Sequence, residues 1–132
     1  MRAKILNASA GSGKTYQLAY KYVRDVVEQP SIYRHILAVT FTNKATEEMK
    51  YRILKEIHLL ASGGESSYLE NLCRELDMDA ATVRRRAAEV RSKILHDYSR
   101  FTVLTIDTFF QRILRAFIKE LGIDLNYNVE IE

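Results

Sequence analysis

Cysteine and long apolar runs are both scarce in this sequence. Its 132 residues include one cysteine, Cys73, which excludes an intrachain disulfide and a cysteine-rich metal site. We expect Cys73 to be a small apolar packing residue in a helix. No apolar run reaches membrane-spanning length, and the N-terminus lacks the basic and apolar regions of a signal peptide. These absences predict a cytoplasmic protein that has no membrane partner.

Composition makes a single globular domain the simplest interpretation. A length of 132 residues with 47% hydrophobic content suits one domain with its own core. The three histidines, His35, His58 and His96, are too scattered in sequence for metal-ligand spacing. The net charge of +3 is mildly basic, which permits a nucleic-acid partner without requiring one.

The most informative segment lies between residues 8 and 15. It reads Ala8-Ser9-Ala10-Gly11-Ser12-Gly13-Lys14-Thr15. This order fits the phosphate-binding loop (Walker A) pattern G-x-x-x-x-G-K-[ST], with alanine in place of the first glycine. A short apolar run precedes the segment and a helical pattern follows it, which is the strand–loop–helix context that the motif requires. We therefore predict a phosphate site here; the alternative is a turn rich in glycine and serine.

Each residue of this loop has a physical role in the prediction. Gly11 and Gly13 let consecutive backbone N–H groups point at a polyphosphate, and the helix that follows presents its positive dipole end to the same anion. Lys14 is expected to reach the β- and γ-phosphates, and the Thr15 hydroxyl to bind Mg²⁺. Tyr16, next to the loop, is a candidate nucleotide contact.

Alternating strand and helix patterns predict a parallel α/β sheet. The predicted strands are Lys4–Asn7, Ile36–Phe41 and Phe101–Ile106. A first helix is predicted over Lys14–Glu28, a second from Asn43 to the Ser62-Gly63-Gly64 stop, and a final one that ends at Gly122. Residues 63–100 interrupt this rhythm with a short helix over Ser66–Leu76 and a longer helix capped by Asp79. Residues 123–132 are expected to be extended.

Apolar residues at helical spacing predict which side of each later helix is apolar. The stripe of the second helix comprises Ala45, Met49, Ile53, Ile57 and Leu60; that of the longer inserted helix comprises Val83, Ala87, Val90 and Ile94; that of the final helix comprises Phe109, Ile113, Phe117 and Leu121. The inserted helix also carries Arg84-Arg85-Arg86. A solvated helix face is the preferred interpretation of these arginines, over a nucleic-acid footprint.

Two further segments follow predicted strands directly and open helices. They are Thr40-Phe41-Thr42-Asn43-Lys44 and Thr105-Ile106-Asp107-Thr108-Phe109-Phe110-Gln111. Ligands of open α/β sheets bind at the carboxyl ends of strands, where hydroxyls suit phosphates and aromatic rings stack on bases. The simpler interpretation makes Thr42 or Asn43, and Asp107 or Thr108, ordinary helix caps followed or preceded by core phenylalanines. The expected placement of both segments on the phosphate-loop edge favours a ligand site.

Taken in order, three segments resemble motifs of the UvrD/Rep-like superfamily 1 DNA helicases, in particular their RecB/AddA-like branch. They are the phosphate loop at 8–15, Ala38–Met49 and Thr105–Phe110. The resemblance implies a P-loop NTPase (RecA-like) fold, three-layer αβα, with a parallel sheet and a small inserted helical segment at about 63–100. It further implies that residues 1–132 are the N-terminal portion of the first ATP-binding domain, and thus an incomplete domain.

The resemblance also implies site roles and partners. ATP and Mg²⁺ are the implied cofactors, held by Gly13, Lys14 and Thr15 within the 8–16 segment, and single-stranded DNA is the implied partner. The residues implied to line the DNA path are Thr40, Phe41, Thr42, Asn43, Lys44, Thr105, Thr108 and Phe109. The full-length parent would be an ATP-hydrolysing DNA helicase active in recombination or repair.

The chain departs from this family in informative ways. Asp107 stands where relatives usually carry histidine, and we expect it to cap the final helix and point away from phosphates. The acidic Asp-Glu pair after a later strand, the second RecA-like domain with its arginine finger, and the glutamine motif have no match in the sequence. We therefore expect an N-terminal piece of a longer helicase, with weak nucleotide binding, negligible turnover alone, and sheet edges open to pairing between copies.

Two other functions stay open at this point. A P-loop phosphotransferase acting on a small nucleotide or metabolite would need an arginine-bearing lid, for which Arg84–Arg86 are the candidates. A non-catalytic interaction module whose loop no longer binds nucleotide is the third interpretation.

Overall fold

The computed structural model describes residues 4–8 and 12–122, with side chains from Thr15 onward. The loop residues Ser9, Ala10 and Gly11, the side chains of Ala8, Ser12 and Lys14, and the segment 123–132, for which extended structure is predicted, lie outside the described residues. Gly13 is described by its backbone alone.

Strands and helices alternate, and an insertion of two helices interrupts them, both as predicted. The elements are β1 (Lys4–Ala8), α1 (Ser12–Glu28), β2 (Ile36–Thr40), α2 (Asn43–Ser62), α3 (Leu69–Leu76), α4 (Ala80–His96), β3 (Thr102–Thr105) and α5 (Ile106–Glu120). Short 3-10 turns over Pro30–His35 and Tyr98–Arg100 lead into β2 and β3. Pro30 at the start of the first turn ends α1, because proline has no N–H to continue a helix.

The three strands form one parallel sheet in the order β1-β2-β3. Parallel neighbours need a crossover connection, and α1 and α2 supply the two crossovers. In the central strand β2, Ile36, Ala38, Val39 and Thr40 are all buried. The fold class is therefore α/β with a parallel sheet, as the sequence predicts.

Helices α1 and α2 contact each other and cover one face of the sheet. That face contributes Ile36, Ala38 and Val103 to the main core. On the other face Leu37 and Leu104 are half-buried and Val39 is buried. The helical layer of α1 and α2 on the first face is thus described, and the three-layer αβα arrangement stays a prediction.

The insertion packs on α1 and α2 through the apolar stripe predicted for its longer helix. Val83, Ala87, Val90 and Ile94 are all buried in the core. Asp79 caps α4 as predicted: the Thr82 N–H donates to its Oδ1 at 2.8 Å. Hydrogen bonds from Thr82 lower the pKa of the Asp79 carboxyl.

The prediction of a solvated face for Arg84–Arg86 is wrong for two of the three arginines. Arg84 Nη1 donates to the carbonyl oxygens of Leu59, Leu60 and Gly64, at the end of α2. Arg86 Nη1 donates to the Glu28 carbonyl at 2.6 Å, at the end of α1. Both guanidinium groups therefore donate to carbonyls at or just beyond helix C-termini, where the regular helical hydrogen bonds end, and of the three arginines only Arg85 is exposed.

The final strand is shorter than predicted because α5 begins early. β3 covers Thr102–Thr105, and Ile106 is already helical. The prediction of Asp107 or Thr108 as the cap is wrong: the Thr105 hydroxyl accepts the hydrogen bond from the Thr108 N–H. Asp107 instead lies in the first helical turn, where a carboxylate interacts favourably with the helix dipole.

Two further sequence predictions can be compared with the described structure. Cys73 lies in α3, half-buried against the core, as expected of a packing residue. Across residues 4–8 and 12–122, none of the helices combines the length and the apolarity that a membrane span requires.

Candidate ligand-binding edge of the sheet

The carboxyl ends of the three strands are aligned with one another. Ala8 pairs in register with Thr40, and Thr40 pairs with Thr105. The phosphate-loop segment and the two segments that begin at Thr40 and Thr105 therefore emerge from the same edge of the sheet. This alignment confirms the common placement that the sequence predicts.

A helix begins within a few residues of each strand end. β1 is followed by α1 at Ser12, β2 by α2 at Asn43, and β3 by α5 at Ile106. Each helix N-terminus carries a partial positive charge and backbone N–H groups that lack partners within the helix. Three such ends along one edge make this edge suited to binding anions such as phosphates.

The start of α1 has the spacing that a phosphate loop needs. Three residues, 9–11, separate the end of β1 from the start of α1. The Thr15 side chain, 8% exposed, lies in the first turns of that helix. It lines a cavity of about 130 Å³ together with Tyr16, Glu48, Tyr51 and Arg52. The residue types of the motif and the spacing of β1 and α1 fit a phosphate loop, and the binding of a nucleotide with Mg²⁺ stays a prediction.

Tyr16 is held by the insertion and by α2. Its hydroxyl donates to Ser67 Oγ at 3.0 Å, and its ring meets the Tyr68 ring edge-on at 5.0 Å between centroids. The Arg52 guanidinium lies over the Tyr16 ring, 5.6 Å from its centroid. The contact of Tyr16 with nucleotide stays a prediction.

The insertion docks along the same stretch of α1. The Tyr68 hydroxyl donates to the Tyr16 carbonyl at 2.9 Å, and the Tyr20 hydroxyl donates to Glu75 Oε2 at 2.6 Å. The bond from Tyr20 lowers the pKa of the Glu75 carboxyl. Burial and this bond raise the pKa of the Tyr20 phenol. These hydrogen bonds join α1 to the insertion.

The turn between β2 and α2 exposes its aromatic residue. Phe41 is 51% exposed, so its interpretation as a core residue is wrong. Thr42 is the helix cap: its Oγ1 accepts from the Ala45 N–H at 3.0 Å. Accepting this bond leaves the Thr42 hydroxyl able to donate its own proton. Asn43 and Lys44 are exposed beside it.

Thr40 differs from its neighbours because its side chain is 1% exposed. Its Oγ1 lies 2.6 Å from the Oγ1 of Thr46, which is also buried. Sequence reasoning missed Thr46. The available signal was its position three residues before Met49 on the apolar stripe of α2, because a hydroxyl on such a stripe must find a partner.

At the end of β3 the threonines bond to each other. Thr105, half-buried, donates its hydroxyl to Thr108 Oγ1 at 3.0 Å. Thr108 and Phe110 are exposed and Phe109 is half-buried. The interpretation of these two phenylalanines as core residues is therefore wrong within the described structure. Phe109 lies in the first turn of α5 and Phe110 directly follows that turn, both close in sequence to the end of β3.

The fold and this edge define a class of protein: an α/β domain whose strand ends combine the sequence motif of a phosphate loop with exposed aromatic and hydroxyl side chains. The chain belongs to the UvrD/REP helicase N-terminal domain family, whose family model matches residues 2–132. This match confirms the resemblance that the three sequence motifs indicate.

Individual relatives are helicase components far longer than this chain. It is 29% identical over 126 residues to an ATP-dependent helicase/nuclease subunit of Lactobacillus delbrueckii subsp. bulgaricus, covering 95% of this chain and 9% of that protein. The RecBCD enzyme subunit RecB of Haemophilus influenzae is 30% identical in an alignment 142 positions long, gaps included, that covers 92% of this chain and 11% of RecB. RecB of Escherichia coli K12 is 29% identical over 127 residues, covering 90% of this chain and 11% of that protein.

The chain therefore spans about a tenth of the length of these curated relatives. No solved structure matches the chain significantly.

Proposed function

We propose that residues 1–132 are the N-terminal portion of the first RecA-like ATP-binding domain of an ATP-dependent DNA helicase. In this proposal the aligned strand ends hold ATP·Mg²⁺ at the first strand and single-stranded DNA at the second and third. The register that joins Ala8, Thr40 and Thr105 carries the proposal. Without that alignment the three motifs would be unrelated helix starts.

The nucleotide half of the site uses residues 8–16. Backbone N–H groups of the loop and of the first turn of α1 bind the phosphates, and Lys14 adds a positive charge at the β- and γ-phosphates. The Thr15 hydroxyl would be a ligand of Mg²⁺, and a metal held there would supply positive charge beside the phosphates.

The DNA half of the site uses the turn after β2 and the start of α5. Phe41 is exposed and stacks on a base, a contact that tolerates any sequence because every base has a π-face. Thr42, Asn43 and Lys44 bind backbone phosphates at the N-terminus of α2. Thr108 and Phe109 extend the path onto α5. The buried Thr40 and the bonded Thr105 position their neighbours within this path.

The full-length parent hydrolyses ATP and couples hydrolysis to movement along DNA. A complete three-layer domain and a second RecA-like domain contribute the remaining catalytic groups, with residues 63–100 as a helical insertion of the first domain. This chain alone turns over ATP negligibly, because the acidic residue that would complete the Mg²⁺ site with Thr15 and the one that would polarise the attacking water belong to later motifs.

The structure weakens the case for a small-molecule phosphotransferase. Such an enzyme would need a mobile arginine lid, yet Arg84 and Arg86 bond to the helix-terminal carbonyls of α2 and α1. The non-catalytic module remains the rival, and nucleotide binding separates it from the helicase proposal.

A titration of labelled oligo(dT) by fluorescence anisotropy tests the DNA half. We expect the 132-residue chain to bind weakly, with an affinity that falls as salt rises. Phe41→Ala should weaken binding by about 5- to 150-fold, because stacking on an aromatic contributes about 1–3 kcal/mol per base. Tyr98→Ala is the matched control: Tyr98 is 50% exposed, against 51% for Phe41, but precedes β3 at the opposite end of the strand. The affinity of the Tyr98→Ala variant for oligo(dT) should equal that of the parent chain.

Two results would reject the proposal. If the folded chain does not bind oligo(dT) at low salt, the proposed DNA site is rejected. A chain that ATP·Mg²⁺ does not stabilise against heat, or stabilises equally after Lys14→Ala, would remove the nucleotide half and favour the interaction module.

A further inference from the structure

We propose that Thr46 is a positioning residue, which holds the turn between β2 and α2 in the conformation that presents Phe41 to single-stranded DNA. This inference rests on the proposed function of the strand-end edge. Thr46 itself is buried and therefore acts through the turn instead of touching the DNA.

The hydroxyls of Thr40 and Thr46 form a buried pair across the turn. Their Oγ1 atoms lie 2.6 Å apart. Thr40 Oγ1 is also within hydrogen-bond distance of the Thr42 and Leu104 carbonyl oxygens, at 3.2 and 3.4 Å. Thr46 Oγ1 donates to the same Thr42 carbonyl at 3.1 Å. The pair thus joins the last residue of β2, the first turn of α2 and the neighbouring strand β3.

The pair closes a very short connection. Only Phe41 and Thr42 stand between the end of β2 and the start of α2. With Thr40 bonded to Thr46 at one end and Thr42 capping α2 at the other, these two residues have little conformational freedom. The side chain of Phe41 remains outside, 51% exposed, on a backbone that both ends restrain.

A restrained aromatic binds better than a mobile one because less entropy is lost on binding. An exposed phenylalanine on a loose turn would be free to fold over apolar surface nearby and would have to be reordered for stacking. The buried hydroxyl pair removes that cost in advance. Its contribution should therefore appear in DNA affinity and not only in stability.

Thr46→Val is the decisive variant. Valine keeps the branched shape of threonine and removes the hydroxyl, while the Thr40 hydroxyl retains the Thr42 and Leu104 carbonyls as acceptors. We expect the variant to fold and to bind oligo(dT) about five- to tenfold more weakly than the parent chain, an effect on the scale of ordering one or two side chains. Thr46→Ser retains the hydroxyl and should bind within about twofold of the parent.

A double-mutant cycle with Phe41 separates positioning from general stability. If Thr46 acts through Phe41, then Thr46→Val should have no further effect on affinity in a Phe41→Ala background. Thermal stabilisation by ATP·Mg²⁺ should be the same with and without Thr46→Val, because the phosphate loop does not depend on this turn.

Several outcomes would overturn the inference. Thr46→Val with a lowered melting temperature and unchanged DNA affinity would make the pair purely structural. Equal losses of affinity in the parent and Phe41→Ala backgrounds would mean that Thr46 acts elsewhere. A parent chain that binds no oligo(dT) would reject the proposed function itself, and the inference with it; the other two results leave that function intact.

Discussion

Two buried tyrosines show that the contribution of a hydroxyl to stability depends on whether it has a hydrogen-bond partner. Tyr68 and Tyr22 are both fully buried. The Tyr68 hydroxyl donates to the Tyr16 carbonyl, within the helix that follows the phosphate loop. Among the residues that the structure describes, the Tyr22 hydroxyl has no hydrogen-bond partner. Burial raises the pKa of both phenols, so both stay neutral at ordinary pH.

The same chemical change should therefore have different consequences at these two positions. Tyr68→Phe removes a buried hydrogen bond and should lower the free energy of unfolding by about 1 kcal/mol. Tyr22→Phe removes a hydroxyl that was desolvated without compensation, and should leave stability unchanged or raise it by about 1 kcal/mol. Urea unfolding followed by circular dichroism measures both. Equal destabilisation by the two substitutions would contradict this assignment of partners.

At the level of secondary-structure elements, arginines of the insertion cap the C-terminal ends of α1 and α2. Arg84 from α4 reaches the C-terminal carbonyls of α2, and Arg86 reaches those of α1. The end of α2 also has Gly63 in the left-handed conformation, with φ of 85°, which glycine adopts without strain. The insertion thus supplies hydrogen bonds that the rest of the domain needs, although it interrupts the βα order.

Removal of a capping arginine should lower the free energy of unfolding, whereas removal of its exposed neighbour should not. Arg84→Ala deprives the Leu60 and Gly64 carbonyls of a charged donor at 3.1 Å. We expect the free energy of unfolding to fall by about 1–3 kcal/mol, the usual range for a hydrogen bond to a charged group. Arg85→Ala is the matched control, since Arg85 is the exposed neighbour and should change stability by less than about 0.5 kcal/mol. Chemical denaturation of both variants tests the difference; equal effects would refute the capping role.

Element ends show how far local sequence chemistry predicts structure. Gly63, Asp79 and Gly122 mark the ends or caps that the sequence predicts, because left-handed glycine and side-chain caps are local devices. The predicted cap of α5 is wrong because Thr105, Asp107 and Thr108 all carry side chains able to accept such a bond. Thr105 is the cap because β3 ends at this residue and α5 begins at the next one.

Across the molecule as a whole, α5 carries an apolar surface without a covering element in the described residues. No residue of α5 is buried. Its exposed apolar side chains, with that of the residue that follows it, are Ile106, Phe110, Ile113, Phe117 and Leu121. These recur at helical spacing, so they form one continuous stripe. A contiguous stripe of this kind is a surface that proteins normally cover.

This stripe, with the outer edges of β1 and β3 that have no further strand among the described residues, should make the isolated chain associate with itself. Sedimentation velocity should show species larger than a monomer that increase with protein concentration. Phe117→Lys should shift the distribution toward monomer, because a charge in an apolar contact is unfavourable. Leu95→Lys, at an exposed apolar residue on α4, should leave the distribution unchanged. A chain that stays monomeric at all concentrations, or responds equally to both variants, would contradict the prediction.

Local patterns along the chain were sufficient to predict the order of strands and helices, most of their ends, the buried stripe of the inserted helix and the motifs that indicate the helicase family. These features depend on residues close together in the chain, through backbone conformation, helix periodicity and capping. Folding was needed to reveal the roles of Arg84 and Arg86, the buried pair of Thr40 and Thr46, and the exposure of Phe41 and α5. Burial and hydrogen-bond partners at these positions come from segments brought together by the fold, so no local pattern encodes them.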